Sequence, residues 1–225
     1  MMDYLLTIIP NIAEGLKVTI SLFFIVAILS IPGGILLALV RISKVRWASQ
    51  LVGWFVYLMR GTPLMLQILV MYYGLPAIMK FLFPNSTSLF IFDDTTVAVV
   101  AFVLNYSAYL CEIFRSGIQS ISKGQYEGAR VLGFTYKQTM VKIILPQMVK
   151  RVLPPLANET INLLKDTSLV YILAMNDVLR ITRGIVQRDF DLTAFVVAGV
   201  FYLLMTYVLT KIFDYLERVY AVYED

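Results

Sequence analysis

The hydropathy pattern divides the chain into five long apolar stretches separated by more polar connections. A membrane-spanning helix needs about 20 mostly apolar residues, and each stretch meets that length. The predicted spans cover residues 18–40, 47–79, 95–115, 155–175 and 192–210. The pattern therefore predicts an all-α integral membrane protein with about five transmembrane helices.

The second stretch contains a polar interruption, Arg60-Gly61-Thr62-Pro63. Glycine lacks a side chain and proline lacks an N–H, so both loosen a helix. Broken helices at membrane depth often frame ligand sites, which makes Arg60 and the nearby Gln67 candidate substrate contacts. Alternatively, this is a kinked packing contact from which Arg60 reaches toward the cytoplasmic headgroups.

The N-terminal apolar run, residues 4–13, is too short to span a bilayer and contains Pro10 and Asn11. We expect a short helix lying at the membrane interface. The start of the chain has no basic region and no small-residue cleavage site, so it is not expected to act as a signal peptide.

Composition supports the membrane assignment, since 59% of residues are hydrophobic and 15% are charged. The chain has one cysteine, Cys111, and no histidine. A disulfide framework is therefore excluded, and neither a structural zinc site nor a Ser-His-Asp set is expected. Cys111 is predicted to be a small buried apolar residue. We expect residues 1–225 to form a single membrane domain.

The orientation is predicted from the lysines and arginines of the connections. The connection after the first span and the long one over residues 116–151 are both basic, and with five spans both lie on the same side. That side is predicted to be cytoplasmic, with the N-terminus outside and the C-terminus inside. Arg180, Arg183 and Arg188 contradict this distribution, because they fall in a connection assigned to the outside.

The connection over residues 116–151 carries two sequence patterns that begin helices. Ser122 with Gln125, and Thr135 with Gln138, both have the spacing of a capping box. The first predicted helix covers residues 125–132, and Gly133 suits the left-handed position that ends a helix. The second starts at Thr135 and continues to residue 145, where Pro146 limits it. The prediction is a helical hairpin on the cytoplasmic face.

The same connection resembles the "EAA" signature of importer-type ABC permeases. The matching residues, with glycine in place of the usual second alanine, are Glu127, Gly128, Ala129, Gly133, Ile143, Leu145 and Pro146. The resemblance implies a permease pair, an ATPase dimer and an extracytoplasmic binding protein. It also implies that the helix over residues 125–132 docks on the ATPase, with Glu127, Gly128, Ala129 and Gly133 as coupling residues.

Three further stretches, residues 60–64, 109–118 and 164–169, resemble the polar amino acid branch, the histidine/glutamine-type permeases. The resemblance covers about residues 15–215 and implies the bacterial cytoplasmic membrane. The chain has no phosphate-binding loop of the Gly-x-x-x-x-Gly-Lys type. ATP and magnesium are therefore expected on the partner ATPase, with no cofactor on this chain and no enzyme activity of its own.

The fourth predicted span is unusually polar, and intramembrane charges are costly and often functional. Its polar residues fall along one helical face: Asn158, Glu159, Asn162, Lys165 and Asp166. Glu159 is the first candidate for a substrate ammonium or a cationic side chain, with Asn158 and Asn162 bonding the α-groups. In the alternative reading, Lys165 and Asp166 pair with each other or serve the permease dimer interface.

The leading hypothesis is the permease subunit of an ATP-driven amino acid importer. The predicted substrate is a cationic amino acid (arginine, lysine or histidine), or else glutamine or cystine. An ion-coupled secondary carrier is the alternative, and an intramembrane enzyme fits least well. Glu112 and Arg115, three residues apart near the end of the third span, are expected to pair with each other or to serve the interface.

Overall fold

The computed structural model describes residues 2–83 and 93–220, and every regular element in those ranges is helical. The all-α prediction is confirmed. The helices are α1 (Met2–Glu14), α2 (Leu16–Ile42), α3 (Arg46–Gly61), α4 (Leu64–Leu69), α5 (Leu75–Leu82), α6 (Asp94–Gln119), α7 (Lys123–Val131), α8 (Tyr136–Thr139), α9 (Leu145–Asp166), α10 (Val178–Asp189) and α11 (Thr193–Tyr220). The π-helical turns Val70–Gly74 and Met140–Ile144 join α4 to α5 and α8 to α9, and a 3-10 segment, Thr167–Leu173, extends α9.

Four stretches of the described chain are long and apolar enough to cross a membrane: Met2–Ile42, Leu64–Leu82, Asp94–Gln119 and Thr193–Tyr220. Helix α9 carries too many charges to join them, so the number of spans stays a prediction. Two helices extend well beyond the predicted spans. Helix α9 begins ten residues before the fourth predicted span, and α11 continues ten residues past the fifth.

The centre of the bundle is the close pairing of α2 with α6. A Cβ added to Gly34 would lie 2.5 Å from the Leu110 Cβ, so glycine is what allows this approach. Four residues further along each helix, Ala38 and Phe114 share a buried apolar cluster. Because the contacts advance in the same direction on both helices, α2 and α6 are parallel. Their C-terminal ends therefore lie at the same end of the bundle, next to α7.

The opposite end of the bundle is covered by α1 and α10. Ile8 and Ile12 of α1 are buried in one cluster with Val178 of α10. The Tyr4 hydroxyl donates to the Asp189 carboxylate at 3.1 Å. Hydrogen bonds from Arg188, and then from Tyr4, hold the pKa of Asp189 below its ordinary value. Only Gly15 separates α1 from α2, and the interfacial position of α1 stays a prediction.

The predicted hairpin within residues 116–151 needs a correction, because Pro146 does not end its second helix. From Tyr136 to Asp166 the chain is one continuous helical path. In the π-helical turn, the Leu145 N–H bonds to the Met140 carbonyl, five residues back. This wider turn accommodates a proline that cannot donate the usual i→i−4 bond. Helix α7 is therefore followed by one long helical rod.

Of the two predicted capping boxes, the one at Thr135 is confirmed. The Thr135 Oγ1 accepts from the Gln138 N–H at 3.3 Å, and the Thr135 N–H donates to the Gln138 side chain at 2.9 Å. The box at Ser122 was wrong, since that side chain makes no capping bond. The Gln125 side chain instead accepts from Gln147 at 3.3 Å. Helix α7 therefore starts at Lys123 rather than at residue 125.

The end of α7 agrees with the prediction. Gly133 has φ +78°, the left-handed conformation that glycine adopts without strain. Its N–H donates to the Arg130 carbonyl at 3.0 Å, and the Phe134 N–H donates to the Ala129 carbonyl at 3.0 Å. This bond pair is a Schellman motif, which ends α7 and turns the chain into α8.

Candidate functional site

The predicted interruption of the second span is confirmed, since α3 ends at Gly61 and α4 begins at Leu64. Pro63 has no N–H, so the Met59 carbonyl four residues earlier loses its helical donor. The Gln67 side chain supplies a replacement. Its Nε2 donates to the Met59 carbonyl at 2.9 Å and to the Thr62 hydroxyl at 2.8 Å. The break is thus closed by hydrogen bonds from α4.

Helix α6 supplies further hydrogen bonds to the break through Asn105, which is 3% exposed. The Asn105 Nδ2 donates to the Met59 carbonyl at 3.1 Å and to the Gln67 Oε1 at 3.0 Å. Gln67 was predicted as a substrate contact, but here its amide is used by the break. It also lines a different, apolar cavity together with residues such as Leu66 and Met71.

On another side of the break, Arg60 faces a polar cavity of about 440 Å³. Its guanidinium carbon lies 5.2 Å from the centre of the Tyr109 ring, a cation–π distance. Arg60 is thus held over an α6 side chain, and its reach toward the cytoplasmic headgroups stays a prediction. The cavity lies between α3, α6 and α9, and its lining residues are Arg60, Tyr109, Glu112, Ile113, Ser116, Pro155, Asn158 and Glu159.

Three charged residues line this cavity: Arg60 of α3, Glu112 of α6 and Glu159 of α9. Glu112 differs from the other two. Glu112 is neutralised within α6, because the Arg115 guanidinium contacts its carboxylate at 2.5 Å. The predicted pairing of these two residues is confirmed. In the described part of the chain, neither Arg60 nor Glu159 has an oppositely charged group within 4.0 Å. One cavity therefore presents a cation and a carboxylate that are in no ion pair within the described chain.

The polar stripe of α9 is partly open and partly closed. Asn158 and Asn162 are exposed, one helical turn apart, and Glu159 is half-buried beside them. Asp166, at the end of the helix, accepts a hydrogen bond from the Tyr106 hydroxyl at 2.7 Å. Lys165 is exposed and forms no ion pair with Asp166 among the described residues, so the alternative of a Lys165–Asp166 pair is wrong.

The residues that resemble the coupling signature are split between two environments. Glu127 and Gly128 are exposed on α7, and a Cβ added to Gly128 would meet no atom within 4 Å. Ala129 is only 3% exposed, because it faces the rest of the chain. Apolar Val131 and Leu132 at the C-terminal end of α7 are 86% and 74% exposed. The outer face of α7 therefore offers an uncovered surface with apolar side chains.

Sequence reasoning missed three α6 residues that organise the site: Asn105, Tyr106 and Tyr109. Asn105 closes the helix break, Tyr106 binds Asp166, and Tyr109 supports Arg60. The available signal was four hydrogen-bonding side chains, these three and Ser107, within five residues of an otherwise apolar span. Such groups need partners inside a membrane, so they mark the face that packs against other polar elements.

A helical bundle with a charged open cavity, joined by one continuous helix to an exposed hairpin, is typical of membrane transport subunits. A family model described as "Binding-protein-dependent transport system inner membrane component" matches residues 30–221. The chain belongs to this family, within its amino acid ABC permeases.

Two curated relatives and one solved structure support the assignment. The arginine transport system permease protein ArtQ of Bacillus subtilis is 36% identical over 220 residues, covering 96% of each chain. The L-cystine transport system permease protein TcyB of Bacillus subtilis is 34% identical and covers 93% of this chain and 86% of the relative. A crystal structure of an amino acid ABC transporter with histidines superposes with a TM-score of 0.85 at 30% identity, covering 97% of this chain and 98% of that one.

Family membership settles several of the alternatives. The chain is a multi-pass permease subunit of the inner membrane and is not itself an enzyme. Members work with a separate ATPase, a second permease subunit and a substrate-binding protein. This importer class replaces the ion-coupled carrier as an explanation for the intramembrane carboxylates.

Proposed function

We propose that this permease subunit carries a cationic amino acid (arginine, lysine or histidine) and contacts it in the cavity between α3, α6 and α9. The observation that carries the proposal is that the carboxylate of Glu159 and the guanidinium of Arg60 line one cavity and form no ion pair within the described chain. An amino acid brings an ammonium and a carboxylate, so it complements both charges at once.

The proposed roles follow from the position of each group. Glu159 binds the cationic side chain or the α-ammonium, and Asn158 and Asn162 hydrogen-bond the α-groups. Arg60, held over Tyr109, binds the α-carboxylate. Lys165 and Asp166 stay outside the contact set, because Asp166 is already bound by Tyr106. Gln67 is likewise assigned to the helix break.

The similarity to an arginine permease supports the cationic substrate. The similarity to a cystine permease keeps a neutral amino acid as the second candidate, cystine or else glutamine. A carboxylate at Glu159 also suits the α-ammonium of a neutral substrate, so charge alone does not separate the candidates. Competition between amino acids for uptake separates these candidates.

The proposed mechanism is alternating access driven by the partner ATPase, which holds ATP and magnesium while this chain binds no cofactor. Helix α7, with Glu127, Gly128, Ala129 and Gly133, docks on the ATPase. The continuous path from Tyr136 to Asp166 then transmits the closure directly to Glu159. We expect Gly128→Ala to be tolerated, because its Cβ meets nothing in this chain, and Gly128→Leu to abolish ATP-driven uptake.

The proposed topology places α7 in the cytoplasm, the N-terminus outside and the C-terminus inside. It is supported by the basic residues near α7 and by the position of α1 at the opposite end of the bundle. Single cysteines at Glu14 and Lys137 test it, with a thiol reagent that does not cross the membrane. Labelling of Glu14→Cys alone in intact cells is expected, and labelling of Lys137→Cys alone would reverse the topology. Native Cys111 is buried and serves as the background.

The experiment that tests the substrate is uptake of labelled arginine by the complete transporter in liposomes. Glu159→Gln removes the charge and preserves the shape, and Glu217→Gln near the end of α11 is the matched control. We expect ATP-dependent uptake that lysine inhibits and glutamine does not, lost in Glu159→Gln and kept in Glu217→Gln.

Two other outcomes separate the parts of the proposal. ATP-dependent uptake of a neutral amino acid that survives Glu159→Gln would reject the cationic substrate and the role of Glu159. Arginine uptake without the ATPase would contradict the ATP-driven mechanism itself.

A further inference from the structure

A second polar cavity, of about 550 Å³, lies on the outer surface of α2 and α3 and plays no part in the proposed transport path. It is lined by Arg41, Gln50, Gly53, Trp54 and Tyr57. Arg41 is at the C-terminal end of α2, so the cavity lies at the same end of the bundle as α7. The transport proposal gives this arginine no role.

The position of the Arg41 side chain is fixed by its own chain. Its Nη1 donates to the Ser49 carbonyl at 3.4 Å and to the Ser49 hydroxyl at 3.3 Å, and that hydroxyl donates back to the Arg41 carbonyl at 2.7 Å. The guanidinium also lies directly on Gly53. A Cβ added there would be 3.0 Å from the Arg41 Cζ and 3.3 Å from its Nε.

One edge of this fixed guanidinium lacks a partner. The Arg41 Nε is a buried atom that donates to no residue of the described chain, and no hydrogen bond is made by Nη2 within those residues. No carboxylate of the described chain forms an ion pair with it. Because Nε is buried, Nη2 is the guanidinium nitrogen that a ligand can reach, and its N–H groups can donate charge-assisted hydrogen bonds to a phosphate oxygen.

The surroundings favour a lipid over a free anion. The α3 face beside the cavity bears exposed apolar side chains at helical spacing, Trp47, Leu51, Trp54 and Leu58, which are 54–72% exposed. Trp54 and Tyr57 pack edge to face, 6.0 Å apart, and such aromatic residues are typical of the headgroup level. Exposed Lys44 and Arg46 add positive charge to the same connection. Anionic headgroups bind basic pockets of this kind at the cytoplasmic face.

We propose that Arg41, fixed by Ser49 and Gly53, binds the phosphate of an anionic phospholipid headgroup, while the acyl chains lie along the apolar face of α3. The site is separate from the substrate cavity. It therefore predicts lipid binding even if the proposed amino acid is wrong.

The test compares lipid retention by the complete purified transporter, using native mass spectrometry after exposure to equal amounts of phosphatidylglycerol and phosphatidylcholine. Arg41→Gln removes the guanidinium, and Gly53→Ala moves it by adding one methyl group. Lys44→Gln removes an equal charge from the same connection and is the control. We expect phosphatidylglycerol to be retained about tenfold better than phosphatidylcholine, because the cationic choline group of the latter offsets the attraction between its phosphate and the guanidinium. That preference should be lost in Arg41→Gln and Gly53→Ala and kept in Lys44→Gln.

Equal retention of both lipids, or equal loss in Lys44→Gln, would overturn the proposal. A second arm adds millimolar inorganic phosphate. Release of the lipid by free phosphate would overturn the headgroup assignment, and undisturbed retention supports it. If Arg41→Gln does not assemble, Gly53→Ala still decides the outcome, because the three nearest atoms to the added methyl group all belong to the flexible end of the Arg41 side chain.

Discussion

Two polar clusters lie beside the same helix break and differ in how their hydrogen bonds are used. In the closed cluster, Asn105 and Gln67 bind each other and the Met59 carbonyl that Pro63 leaves without a donor. In the open cluster, Arg60 and Glu159 share a cavity and have no ion partner among the described residues. Both are polar groups in an apolar bundle, but the hydrogen bonds of the first are made within the chain, whereas the charges of the second are in no ion pair among the described residues.

This difference teaches how to separate structural from functional polarity in a membrane helix. A polar group in the hydrocarbon core of the bilayer needs a hydrogen-bond partner, since the lipid tails supply none. Where the chain supplies the partner, the group stabilises a shape. Where it does not, a ligand, a partner chain or water must supply it. Substitutions in the two clusters should therefore change different measured quantities.

The largest expected effect comes from a matched pair, Asn105→Leu in the closed cluster and Asn158→Leu in the open one. Asn105→Leu leaves the Met59 carbonyl and the Gln67 amide short of partners, so we expect the free energy of unfolding to fall by about 1–3 kcal/mol. Asn158→Leu should change it by under about 0.5 kcal/mol and lower uptake instead. Thermal unfolding and uptake of both purified transporters check this. Equal destabilisation by the two substitutions would contradict the distinction between the closed and the open cluster.

The next effect concerns Arg60, whose guanidinium lies over Tyr109. Arg60→Gln is expected to raise the substrate concentration for half-maximal uptake about tenfold, the cost of one charge-assisted contact. Arg60→Lys should recover part of the affinity, because the charge remains while the planar fork is lost. Arg218→Gln at the end of α11 is the control. An unchanged half-maximal concentration in Arg60→Gln would return this residue to a packing role.

A smaller effect is expected from Pro63→Ala, which restores an N–H that competes with Gln67 and Asn105 for the Met59 carbonyl. Unfolding should shift by under about 1 kcal/mol, while uptake falls several-fold because the end of α3 no longer directs Arg60 into the cavity. Pro10→Ala, inside α1, is the control. If uptake were untouched, the break would not be what positions Arg60.

The smallest expected effect on transport is that of Tyr106→Phe, which removes the hydroxyl that donates to Asp166 at 2.7 Å. We expect a stability loss of about 0.5–1.5 kcal/mol and little change in substrate affinity, since Asp166 belongs to the closed part of the stripe. Tyr207→Phe, exposed on α11, should change neither quantity. A transport loss as large as that of Glu159→Gln would mean that Asp166 contacts substrate.

Much of the fold could be predicted because its signals are local. The helix break follows from Gly61 and Pro63, the start of α8 from the box at Thr135, and the end of α7 from Gly133. Pro146 was misjudged for a reason that is not local. Whether a proline ends a helix depends on whether the surrounding backbone can adjust its hydrogen bonds to the missing N–H. Here a π-helical turn widens the hydrogen-bond pattern.

The candidate site was predictable in part. A charge such as Glu159 inside a predicted span costs enough free energy that its presence in the sequence indicates a functional role. Gln67 carries the same kind of signal, but its amide lies against Asn105, which is 38 residues away in the chain. No spacing rule connects residues that far apart, so sequence could not tell a satisfied amide from a free one.

The sequence by itself determined the helices, the family and the coupling signature, because each depends on composition and spacing within about twenty residues. The tertiary structure decided which polar groups are satisfied. It paired Glu112 with Arg115 and Asp166 with Tyr106, and it left Arg60 and Glu159 lining one cavity and Arg41 lining another. The physical reason is that a hydrogen bond requires two groups within about 3 Å, and only the packing of α2, α3, α6 and α9 sets those distances.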